Sequence, residues 1–86
     1  MQVAELIQRA QTHEGTAADV AKKLGVAFQD VSNWRHGRRA CPPDMRARLA
    51  ALAGLDPMAE LVEGLAEGLS DERRAGLLDA LQWRRR

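Results

Sequence analysis

The sequence predicts an all-α domain of five to six helices, and three observations carry that prediction. Leu and Ala supply most of the apolar content, with one Phe and no Tyr, so good helix formers outweigh the residues that strands prefer. Apolar residues recur at spacings of three and four, the period of a helix with one buried face. Gly15, Gly25 and Gly54 fall at the ends of those runs, where helices stop.

Taken in order, Val3, Leu6, Ile7 and Ala10 make one apolar stripe on a first helix over residues 2–12, which stops near Gly15. Thr16 reads as the N-cap of a second helix, with Asp19 in the place of a capping-box acid. Val20, Ala21 and Leu24 form its buried face, and Gly25 closes it. A third helix is expected from Ala27 or Phe28 to Arg35. Residues placed 100° apart put Val31 and Trp34 on one side, and Gln29, Ser32, Asn33 and His36 on the other. Ala27 offers no capping oxygen there, which breaks a local rule. The basic loop HGRRACPP follows over residues 36–43, and its second proline suits the first turn of a fourth helix. Met45, Leu49 and Leu52 stripe that helix. Asp56-Pro57 opens a fifth, with Met58, Leu61, Val62, Leu65 and Leu69 as its apolar face. Ser70-Asp71-Glu72 opens a sixth, where Leu77, Leu78 and Leu81 share a side and Trp83 stands apart from them.

Composition narrows the class. A chain of 86 residues is expected to be one domain of modest stability, burying roughly 60–65% of its unfolded surface. Residues 1–55 carry eight basic against five acidic side chains, and residues 56–86 carry five against seven. A basic front on a nearly neutral chain suits a module that turns one face to a polyanion. The single Cys41 cannot form an intramolecular disulfide and fits a reducing compartment. No run reaches the roughly 18–20 apolar residues of a membrane span, and no signal peptide is evident, so a cytoplasmic protein is expected. His13, His36 and Cys41 lack metal-ligand spacing, and there is no Gly-rich phosphate loop. No catalytic residue, metal, cofactor or small-molecule ligand is therefore expected.

The organising stretch is residues 16–37. The apolar residues of its two short helices face one another across a Gly-centred turn, while the second helix turns amides outward beside arginines. A rigid helix that displays amides can read base edges in duplex DNA. The succession of Ala21, Gly25, Val31, Trp34 and Gly37, with Val20, Leu24 and Val26 in the remaining buried slots, resembles the Cro/cI-type (lambda repressor-like) helix-turn-helix of phage repressors and their bacterial relatives. The resemblance fills every apolar slot of those 22 residues, extends more loosely over residues 3–55, and is vague beyond.

That resemblance implies a helix-turn-helix at helices two and three, with residues 28–35 lying in the major groove. It places Phe28, Gln29 and Asn33 at base edges, with Ser32 nearby, and brings Thr16 and Ala17 towards phosphates. Ala17 stands where many relatives carry a phosphate-clamping Gln. Phe28 stands where a polar residue is usual, leaving thymine-methyl contact or packing as its options. Lys22, Arg35, His36, Arg38 and Arg39 are the further candidates for phosphate contact, with a solvated basic surface as the alternative.

The expectation is a homodimeric transcriptional repressor that binds a palindromic operator in double-stranded DNA. Residues 1–55 form the DNA-binding core; residues 56–86 complete that core and supply a dimer interface at Leu77, Leu78, Leu81 and Trp83. Pairing would set two reading helices about 34 Å apart, one DNA turn. Arg84–Arg86 suit a helix C-terminus, a phosphate or a free tail. The alternatives are the DNA-binding antitoxin of a toxin–antitoxin pair and a helical protein-interaction module.

Overall fold

In the computed structural model, which describes residues 1–82, the chain forms six α-helices. They are α1 (Val3–Glu14), α2 (Ala17–Leu24), α3 (Phe28–Arg35), α4 (Pro43–Leu52), α5 (Pro57–Glu67) and α6 (Asp71–Ala80). No strand occurs among the described residues, so the all-α expectation is met. None of these helices is long and apolar enough to cross a membrane. Trp83 and Arg84–Arg86 lie outside the described residues.

Local chemistry fixes most helix ends. Thr16 Oγ1 accepts from the Asp19 amide at 3.2 Å, and Asp19 Oδ2 accepts from the Thr16 amide at 2.8 Å, closing a capping box. Asp56 takes the Met58 amide at 3.0 Å, and Ser70 takes the Arg73 amide at 3.3 Å. Each bond satisfies an N–H that has no partner inside its own helix. Pro43 and Pro57 sit in first turns, where a missing N–H costs nothing.

Helices α2, α3 and α4 end alike. Gly25, Gly37 and Gly54, with φ of 72°, 73° and 73°, follow the last turn in the left-handed region. Each glycine N–H returns to a carbonyl three residues back, and the next N–H to one five back: Val26 to Ala21, Arg38 to Asn33, Leu55 to Ala50. In this Schellman closure the residue after the glycine usually packs an apolar side chain on the turn it closes. Val26 and Leu55 do pack against the core. Arg38 is the polar exception.

The core is drawn from α1–α4. Leu6, Ile7 and Ala10, then Val20, Ala21 and Leu24, then Val31 and Trp34, then Leu49, Ala50 and Ala53 make one buried cluster, bordered by residues no later than Leu55. Helices α5 and α6 contribute no residue to this cluster. α5 lies along α4 and buries Val62 and Ala66 beside the cluster. α6 approaches only α5 and buries none of its residues.

The orientation of α5 departs from its apolar pattern. Of the five apolar residues that the sequence places on one face, only Val62 is buried; Met58 and Leu65 remain 58% and 49% exposed. The reason is Arg46. Its side chain is buried to 3% exposure on the inner face of α4, donating to Glu60 Oε1 and Glu67 Oε1, both at 2.9 Å, and to the Met1 carbonyl. Glu60, Gly64 and Glu67, spaced i, i+4, i+7, thus face α4, and a Cβ on Gly64 would stand 3.2 Å from Pro43 Cα. A buried guanidinium left unpaired would cost several kcal/mol, more than burying one more Leu returns, so the ion pair sets the helix phase. Burial works against the charged form of Arg46, but the bond to Glu60 and the charges of Glu67 and Glu60 prevail and hold it more firmly protonated than usual.

Candidate nucleic-acid interface

An eight-residue helix is too short to be rigid alone, so α3 depends on its anchors. Val31 is fully buried and Trp34 is 8% exposed, which fixes the helix against α1 and α2. Trp34 is a core residue, as its phase with Val31 predicts. At the N-terminus of α3, Ala27 has no side-chain cap; instead Asp30 Oδ2 accepts from the Ala27 amide at 3.3 Å. That half of a capping box was readable from an acid at the third helical position, and it offsets the missing Ser or Thr.

With Val31 and Trp34 inward, the opposite face carries the predicted reading residues. Phe28 is 55% exposed, which opens much of its ring to solvent at the start of the helix. Gln29 is exposed; Ser32 and Asn33 are half-buried. These polar residues are bonded to one another. Gln29 Nε2 donates to Asn33 Oδ1 at 3.1 Å, and Arg38 Nε donates to the same oxygen at 2.9 Å. Arg38 Nη2 donates to Ser32 Oγ at 3.1 Å. His36 Nδ1 lies 2.9 Å from the Ser32 carbonyl, which can only accept. That pairing calls for a hydrogen on Nδ1.

The candidate phosphate contacts differ in what already occupies them. Arg35 Nη1 donates to Gln11 Oε1 at 2.9 Å and ties the end of α3 to α1. Arg38 is turned back over α3. Arg39 is exposed, and its side chain bonds to none of the described residues. Lys22 is exposed on α2, close enough to Asp19 for their charges to interact. The Thr16 hydroxyl serves the capping box, and Ala17 brings only its backbone N–H, at the positive end of the α2 dipole. The Thr16 amide and hydroxyl hold the Asp19 carboxyl below the usual carboxylate range, with Lys22 helping.

Elsewhere the candidate residues are more scattered. On α6, Leu77 and Leu78 are half-buried, and Leu81 just beyond it is 51% exposed; Trp83 lies outside the described residues. Cys41, in the loop after α3, is half-buried, and burial pushes its thiol up to about 11. It stays protonated near neutrality. Among the described residues no three of His, Cys, Asp and Glu come together in a way that could hold a metal ion. The buried Arg46–Glu60 pair escaped sequence reasoning altogether, because a lone Arg and a lone Glu fourteen residues apart look like solvated charges.

Taken together, α3 offers an exposed ring, two amides and a guanidinium bonded to them, and exposed cations stand on α2 and in the following loop. Such a surface can donate to and accept from a groove edge while cations meet its backbone. Comparison with protein-family models, with curated proteins and with solved structures finds no match to this chain.

Proposed function

We propose that this chain binds double-stranded DNA in a sequence-specific manner and acts as a homodimeric repressor on an inverted-repeat operator. The observation that carries the proposal is the bonded polar face of α3 on a helix anchored by Val31 and Trp34. Preorganised amides on α3, with exposed cations at Arg39 in the following loop and Lys22 on α2, suit base edges and phosphates respectively. The resemblance of residues 16–37 to the Cro/cI-type motif points the same way. Occupancy of an operator that overlaps a promoter would exclude polymerase, and the site lies in the cytoplasm in this reading.

The second copy is proposed to cover the apolar residues left open on α5 and after α6: Met58, Leu65 and Leu81. Within the residues 56–86 expected to supply the interface, this adds Met58 and Leu65 of α5 to Leu81.

Fluorescence anisotropy with labelled duplexes at about 50 mM salt and above tests the main proposal. Binding is expected, with affinity falling linearly in log–log form as salt rises. No measurable binding at the low-salt end sinks it.

A further inference from the structure

Three helices of this chain close with the same glycine-centred turn, and in two of them the next residue is apolar. In the third it is Arg38, which the Gly37 turn carries back over the last turns of α3. Its guanidinium, though exposed, consequently meets the reading face. Nε donates to Asn33 Oδ1 at 2.9 Å and Nη2 donates to Ser32 Oγ at 3.1 Å.

The chemistry of these donors fixes the amides. Arginine has no acceptor, so the Asn33 atom that faces Arg38 must be the oxygen. The same oxygen faces Gln29, so Gln29 must present its Nε2–H to it, at 3.1 Å. An amide oxygen has two lone pairs, and both are now taken. Asn33 therefore shows the outside two N–H donors and no acceptor. Gln29 keeps one N–H and its Oε1.

Adenine in the major groove offers an acceptor at N7 and a donor at N6, and a bidentate amide must supply one group of each kind. Gln29 still can. Asn33 cannot, although its residue type alone suggests adenine. Guanine, with acceptors at N7 and O6 and no donor on that edge, matches a pure donor.

We propose that Arg38 is a specificity-determining residue of the reading face: by occupying Asn33 Oδ1 it makes Asn33 select guanine over adenine. This rests on the DNA-binding function proposed above. It gives Arg38 a different task from Arg39, which bears the same charge one residue on and whose side chain bonds to none of the described residues.

The experiment is selection from a pool of duplexes with a randomised core, using the wild type, Asn33→Ala, Arg38→Lys and Arg39→Ala. Asn33→Ala identifies the base position that Asn33 reads, as the one whose preference it erases. At that position the wild type is expected to prefer guanine to adenine by about tenfold or more. Arg38→Lys keeps the charge but lacks the planar fork, so it should bring the ratio to about unity while the salt dependence of binding stays as it was. Arg39→Ala should weaken binding to all sequences alike and leave the base profile unchanged. A wild type that selects adenine there, or an Arg38→Lys profile identical to wild type, overturns the proposal alone. A wild type that selects no sequence overturns the DNA-reading function and this proposal with it. The network itself is read without DNA, in ¹⁵N spectra of the free protein. The Arg38 Nε–H should exchange measurably more slowly than that of Arg39 and lose this protection in Asn33→Ala; equal exchange rates in the wild type overturn the arrangement.

Discussion

At the scale of single residues, Arg46 is the side chain on which most depends. It joins α4 to Glu60 and Glu67 of α5 and to the Met1 carbonyl, all from a position that excludes water. Arg46→Ala should destabilise the fold by about 3–5 kcal/mol, because it leaves the buried Glu60 without its partner; Glu60→Ala should cost less, because Glu67 and the Met1 carbonyl still hold the guanidinium. Arg46→Met combined with Glu60→Leu should recover most of that loss, since a well-packed apolar pair of similar volume needs no desolvation. Urea denaturation of the three variants checks both statements; an additive double variant contradicts them. None of this was legible in the sequence. Charge patterns report which residues prefer water, and a pair that forgoes water leaves no periodic trace when its members stand on different helices. Trp34 was legible for the opposite reason: an apolar residue in phase with Val31 has only the core to go to.

At the scale of elements, the helix boundaries were readable because their causes are local. Thr16 with Asp19, Gly25, Pro43, Asp56 and Ser70 each act within a turn of their own position. The first of these signals is coupled to the glycine before it. Gly15 has φ 117°, a conformation that residues with a Cβ rarely adopt, and a Cβ there would stand 2.5 Å from Asp19 Oδ2. That oxygen is held by Thr16 and cannot retreat without opening the box. Gly15→Ala should therefore cost about 2–3 kcal/mol, combining backbone strain with a lost cap. The box also gives a pH dependence whose sign follows from its cause. Asp19 has its folded-state pKa lowered by the Thr16 bonds, so its contribution is present above the ordinary carboxylate value and disappears as pH falls through the lowered one. Thermal melting of wild type and Asp19→Ala should differ at neutral pH and converge below about pH 4. A gap that stays constant into acid shows that the carboxylate charge is not what stabilises α2. What could not be read at this scale was the rotation of α5, which answers to Arg46 across a helix–helix contact rather than to its own leucines.

At the scale of the whole molecule, the chain has a thick end and a thin one. Four helices share the main core, a fifth lies along the fourth, and the sixth rests on the fifth alone, giving extents of 37 × 27 × 18 Å. Stability should be distributed accordingly. Amides of α1–α4 are expected to exchange hydrogen only on global unfolding, whereas those of α6 should exchange through a smaller, local opening. Leu49→Ala, a cavity in the main core, should accelerate the first group strongly and leave the second nearly unchanged. Uniform acceleration of both groups excludes a separate opening of α6. Exchange mass spectrometry resolves the two. The exposed positions of Met58, Leu65 and Leu81 give that thin end a second dependence. If a second copy covers that surface as proposed, its protection comes from mass action. Under the proposed pairing of two copies, the order of α6 is expected to be a property of dilution: tight in concentrated solution, loose in dilute, and restored by titrating in more of the same protein.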